Sequence, residues 1–226
     1  MPGWLKGLLT VILWTFLPAG VLAAVLGASG NLPEFTWLVL LAGCFGLLYG
    51  LEAGILTIYD LGSPLGWLEL LIDMTWSAPN TVWGFVLGNL IFWFAGTPSR
   101  TDSADAGWIV FKPRSSTGFG HSVKQTHGTV NLGGAGQHEK MHLLQARIFG
   151  PLFLPLYLAC YVVTVTIQVL WTITLGWILV VAKVRQKAPL QPPAASVVSG
   201  FFGWIYYATL FELWAYASGN PSTTRP

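Results

Sequence analysis

Long apolar runs constrain this chain more than any other feature. The first extends from Leu5 to about Ala28, with Lys6 at its start, and the second from Phe35 to about Tyr59, broken only by Glu52. Each is long enough to cross a hydrocarbon core of about 30 Å. The first could also be read as a secretory signal. Its length and the second run that follows at once favour a retained helix. Composition agrees with a lipid environment: 54% of residues are hydrophobic and 9% charged, against roughly a quarter charged in an average soluble domain. A formal charge of +2 is too small to argue for nucleic acid. Cys44 and Cys160 lie inside apolar runs and suggest packing rather than a disulfide framework.

Gly43, Gly46, Gly50 and Gly54 recur at helical intervals in the second run, which would let a neighbouring helix approach closely. Glu52 should face protein or water rather than lipid, or mark a helix end at the interface. Gly66 to Asp73 is amphipathic, as expected of a short helix lying on the membrane surface, with Glu69 and Asp73 on its polar face. A third span is expected from about Asn80 to Ala95.

The one long polar stretch, 97–136, opens with loop composition from Thr97 to Asp105. Trp108–Phe111 and His121–Lys124 resemble short strands. Gln125–Gly128 could turn the second strand into Thr129–Leu132, making a hairpin in a small cap over the membrane. A helix should cover 137–149. A further apolar run goes from Leu152 to Ala182, closed by Lys183, Arg185 and Lys187, with a Pro-rich link from Ala188 to Ala195. A last run, Val197 to Phe211, leads into Glu212, and the polar tail 218–226 is expected to be disordered. The expected architecture is an all-α transmembrane helical bundle of four to five spans, one integral membrane domain over 1–226, with a β-hairpin-containing cap near the helix at 137–149.

That helix carries His138-Glu139-Lys140-Met141-His142. Residues four apart lie on one helical face about 6 Å apart along the axis, so both imidazoles can reach one metal ion. A zinc ion there would lower the pKa of a bound water to about 7, and Glu139 would act as general base. The charged Lys140 departs from the usual pattern between the Glu and the second His. A catalytic zinc needs a third protein ligand. Glu212, His121, His127, Asp73 and Glu69 are candidates. Glu212 is preferred because the run from Leu152 leaves the face of the histidines, the basic link turns the chain, and the run from Val197 returns it. His121 is the next choice, or else a transition-state stabiliser. Tyr216 is a further candidate for stabilising an oxyanion.

The HExxH at 138–142, followed by transmembrane runs and Glu212-Leu213-Trp214-Ala215, resembles the gluzincin pattern of HtpX-type and CAAX-prenyl-type membrane metallopeptidases. The resemblance implies His138, His142 and Glu212 as zinc ligands and Glu139 as base. That family's Asp after the Ala is Tyr216 here. The longer stretch from His138 through Gln145 to Gly150-Pro151 is also similar to small bacterial membrane proteins of HExxHxxQ…GP type, with Trp76 to Thr81 a further part of the pattern. This implies a metallopeptidase-like site in a bacterial inner membrane, with lipid around it, but no known substrate; the position of the site at the membrane face suggests membrane-protein or juxtamembrane peptides as substrates. A non-catalytic metal-binding scaffold and a zinc-dependent lipid or amide hydrolase are the competing readings. A transporter or channel is disfavoured, because Glu52 is the only carboxylate deep in a span.

Overall fold

The computed structural model describes residues 1–115, 124–134, 136–176 and 205–219. The chain is mostly helical, with one small sheet. It divides into two compact units: Met1–Ala135 with Ala146–Pro151, and Gly136–Gln145 with Leu152–Pro226. Three stretches are long and apolar enough to cross a membrane: Gly3–Ala28, Leu32–Leu56 and Gln137–Thr174.

The first unit begins with α1 (Gly3–Ala28) and α2 (Leu32–Leu56). Their contacts pair Gly7 with Gly54, Trp14 with Gly46 and Ala19 with Gly43, so the helices run antiparallel. At Gly46 an added Cβ would stand 2.0 Å from the Trp14 carbonyl oxygen, whereas at Gly43 the nearest atom is 3.8 Å away. The glycine spacing therefore sets the approach, chiefly through Gly46, Gly50 and Gly54. Glu52 faces protein: its Oε2 accepts a bond from Asn89 Nδ2 at 2.7 Å.

The short amphipathic helix is α3 (Pro64–Met74), with Ser63 as its N-cap accepting from the Gly66 N–H. Its acidic residues are not on a solvated face as expected. Asp73 is fully buried. It accepts two bonds from Arg147, Nε at 3.0 Å and Nη2 at 2.9 Å, and one from the Tyr59 hydroxyl at 3.1 Å. Arg147 Nη1 reaches Glu69 at 2.9 Å. A buried carboxylate needs such partners, and the guanidinium fork supplies two at once.

The expected third span is helical but is not among the three stretches named above. It consists of α4 (Ala78–Trp83), a π segment (Gly84–Gly88) and α5 (Asn89–Ala95). Several of its residues serve packing: Asn80, Thr81 and Phe92 are buried, and Gly84 and Gly88 meet the His127 carbonyl and Val130.

The stretch from Thr97, expected as loop, holds β1 (Gly96–Pro98) and α6 (Arg100–Ala106). Local signals account for the helix: Ser99 caps the Asp102 N–H, Asp102 lies in the first turn, and Gly107 ends it at φ +81°. Three further strands follow, β2 (Ile109–Pro113), β3 (Gln125–His127) and β4 (Val130–Leu132), in sheet order β1-β2-β4-β3. The β1–β2 and β3–β4 pairs are antiparallel, and β2–β4 is parallel. A hairpin is present, but Gln125–His127 is its strand and residues 128–129 its turn. Gly128 takes φ +53° there. The strand expected at His121–Lys124 lies outside the described residues except for Lys124, which is not in a strand.

Helix α7 (Gln137–Phe149) ends where Gly150 turns to φ +52° before Pro151. The carbonyls of a last helical turn lack intrahelical partners. Here Trp76 Nε1 donates to the Ile148 carbonyl at 3.0 Å, Ser77 Oγ to that of Ala146 at 3.1 Å, and Asn80 Nδ2 to that of Gly150 at 2.7 Å. This gives the Trp76–Thr81 segment a structural role.

The second unit holds the first turns of α7, then α8 (Phe153–Trp171) with a π segment (Thr172–Gly176), and α9 (Leu210–Gly219). The Lys183, Arg185 and Lys187 cluster, the Pro-rich link and the start of the Val197 run lie outside the described residues. Ser218 and Gly219, placed in the tail by sequence, complete α9, and residues 220–226 are not described.

Candidate metal centre

Three elements of the second unit build the site. Helical spacing sets His138 and His142 one turn apart on α7, with their Nε2 atoms 3.1 Å from each other. Helix α9 supplies Glu212, whose Oε2 is 3.3 Å from His138 Nε2 and whose Oε1 is 3.4 Å from His142 Nε2. Helix α8 supplies Tyr157, whose hydroxyl donates to Glu212 Oε1 at 2.5 Å.

These separations can be tested against a metal. A tetrahedral ion with ligand bonds of about 2.0–2.1 Å holds its ligand atoms about 3.3 Å apart. The two histidine nitrogens, 3.1 Å apart, fit that figure, and each lies at a like distance from one of the two Glu212 oxygens, His138 3.3 Å from Oε2 and His142 3.4 Å from Oε1. Two imidazoles and a carboxylate are also the donor set that zinc accepts. A further sign is an orphaned atom: Glu212 Oε2 is buried and has no hydrogen-bond partner among the described residues. Buried carboxylate oxygens are ordinarily satisfied, and a cation would satisfy this one.

Glu212 is almost wholly buried, at 1% exposure. Burial pushes its carboxyl up, but the His138 and His142 rings beside it and the bond from Tyr157 outweigh that and hold it at about 2. Glu139, beside the first histidine, is buried at 6% exposure.

Gln145 is fully buried beneath His142. Its Oε1 lies 3.0 Å from His142 Nδ1, and its Nε2 donates to the Phe211 carbonyl at 2.9 Å. The His138 ring lies 4.3 Å from that of Tyr216. His138 Nδ1 has no hydrogen-bond partner among the described residues. Burial raises the Tyr216 hydroxyl above its ordinary range, keeping it a donor at neutral pH.

Of the residues singled out from sequence, His138, His142 and Glu212 are brought together. Asp73 and Glu69 are committed to Arg147. His127 lies in β3, half-buried, with its ring 5.7 Å from Phe92, and burial lowers its pKa. His121 lies outside the described residues. Sequence reasoning assigned no role to Gln145 or Tyr157. Gln145 had a local signal, since i+3 from His142 puts it on the same helical face. Tyr157 had none. The chain matches no protein-family model, no curated protein and no solved structure.

Proposed function

We propose that this chain is a zinc metallopeptidase of gluzincin type that cleaves membrane proteins or juxtamembrane segments at a membrane surface. The observation that carries the reading is the convergence of His138 Nε2 and His142 Nε2, 3.1 Å apart, on the Glu212 carboxylate, His138 lying 3.3 Å from Oε2 and His142 3.4 Å from Oε1. His138, His142 and Glu212 would hold the zinc. Once bound, zinc supplies Lewis acidity toward water and a peptide carbonyl.

The chain's own groups do the remaining work. Glu139 takes the proton of the attacking water and delivers it to the leaving amine nitrogen as the C–N bond breaks. Tyr157 fixes the Glu212 carboxylate through its hydroxyl, and the Tyr216 hydroxyl, which shares hydrogen bonds with Tyr206 and Tyr207, would turn to donate to a developing oxyanion. The surrounding architecture in this reading has four or five spans in a bacterial inner membrane, with the small sheet capping one membrane face.

The test uses the detergent-purified full chain. About one zinc per chain is expected in the wild type, with loss in His142→Ala and Glu212→Ala. Glu139→Gln should keep its zinc and lose cleavage of a membrane-protein and peptide panel. Cleavage by Glu139→Gln at the wild-type rate would refute the mechanism. Zinc retained with no hydrolysis by the wild type would point to a metal-binding scaffold, and turnover of lipids alone to a lipid hydrolase.

A further inference from the structure

The side chain of Gln145 has two ends, and its surroundings fix which is which. The Phe211 carbonyl can only accept a hydrogen bond, so the amide nitrogen of Gln145 must face it, as its 2.9 Å contact requires. The amide oxygen is thereby turned to His142 Nδ1, 3.0 Å away. An amide oxygen also only accepts, so Nδ1 must carry the proton. The neutral imidazole then has a bare lone pair on Nε2, the atom that faces His138 and Glu212. Gln145 is fully buried, so no water competes for either end.

We infer that Gln145 is a positioning residue of the metal site. It locks His142 in the metal-binding tautomer and ties α7 to the backbone of Phe211, the residue before Glu212. The inference rests on the metal reading of His138, His142 and Glu212. One amide thus links two of the three ligands: it orients the ring of one and holds the chain that carries the other. The second linkage matters because His142 and Glu212 lie far apart in sequence, on different helices. His138, with no partner on Nδ1 among the described residues, has no such lock. Outer contacts of this kind typically contribute ten- to a hundredfold to metal affinity.

The experiment uses the full chain in detergent, labelled with 15N-histidine and stripped of metal by a chelator, as wild type, Gln145→Leu and Gln145→Glu. Imidazole 15N shifts report which nitrogen carries the proton, and chelator competition reports zinc affinity. The wild type should show His142 protonated at Nδ1. Gln145→Leu should lose that preference and bind zinc roughly ten- to a hundredfold more weakly. Gln145→Glu keeps an acceptor for the Nδ1 proton, so it should keep the tautomer and recover most of the affinity. Its remaining deficit measures the tie to Phe211.

The inference is overturned if Gln145→Leu keeps both tautomer and affinity, if the wild type is protonated at Nε2, or if Gln145→Glu is no better than Gln145→Leu. A wild type that binds no zinc overturns the metal reading as well, so the two failures are told apart.

Discussion

Replacing Arg147 by methionine should destabilise the chain strongly, and the structure sets the size of the effect. Arg147 contacts Asp73 through Nε and Nη2 at 3.0 and 2.9 Å and Glu69 through Nη1 at 2.9 Å. The Asp73 side chain is 0% exposed and that of Arg147 11%, whereas that of Glu69 is 26% exposed. Loss of the guanidinium strands the Asp73 carboxylate without a cation, which costs about 3–5 kcal/mol. Glu69 can turn to water and adds little. Asp73→Asn keeps one acceptor oxygen and Glu69 still neutralises the arginine, so its cost is one charge-assisted bond, about 1.5–3 kcal/mol. The double variant Asp73→Leu/Arg147→Met removes both charges. It leaves only the Tyr59 hydroxyl short of an acceptor, about 1 kcal/mol, and Tyr59 retains its contact with Tyr49 at 3.1 Å. Thermal unfolding of the purified chain is the assay. At about 2–4 °C per kcal/mol for a chain of this size, Arg147→Met should lower the midpoint by roughly 6–20 °C. The double variant should lie closer to wild type than Arg147→Met does. Costs that simply add would refute the reasoning, because independent sites add and a coupled pair does not.

Two further outcomes follow from packing and charge. Gly46→Ala should cost about 1–3 kcal/mol through overpacking, because its Cβ would meet the Trp14 carbonyl at 2.0 Å, whereas Gly43→Ala, with 3.8 Å of clearance, should unfold at the wild-type temperature. His127 has its pKa lowered by burial below the ordinary 6.5, so the unfolded chain binds that proton first. Its contribution to stability is complete above about pH 6.5 and is lost as pH falls through the lowered value. Melting curves between pH 8 and pH 5 should fall less steeply for His127→Asn than for the wild type.

What could be read in the sequence was what local spacing encodes. His138 and His142 share a face because a helix repeats every 3.6 residues, and the Gly46, Gly50 and Gly54 series marks the α1 contact for the same reason. Glu212 was reachable only by counting the passages of the chain between the two faces of a membrane. Asp73 gave no sign of its burial. Its alternation on an amphipathic helix is that of a solvated carboxylate, and only the distant Arg147 reverses this. Tyr157 likewise meets Glu212 through tertiary packing alone. Helix α6 was a different failure: Ser99, Asp102 and Gly107 are start and stop signals in plain view, but the Thr, Ser and Asp composition between them favours loops. The hairpin was misplaced by a few residues because Gly128 supplies the positive φ of the turn, and the strand before it is only Gln125–His127.

The π segment Gly84–Gly88 means that the helix from Ala78 to Ala95 carries one residue more than a regular α-helix would need over the same path. Its length is therefore a rotational setting. Deleting a single residue there would restore regular winding over the same path, whereas deleting one from the regular turns of α4 would turn everything downstream by about 100°. After such a deletion in α4, Asn89 would swing away from Glu52 and Phe92 from Phe111, although neither side chain had been changed. Substitutions at the exposed Val86 and Leu90 leave that setting alone. Along this helix, insertions and deletions outside the π segment should be far less tolerated than changes of residue type.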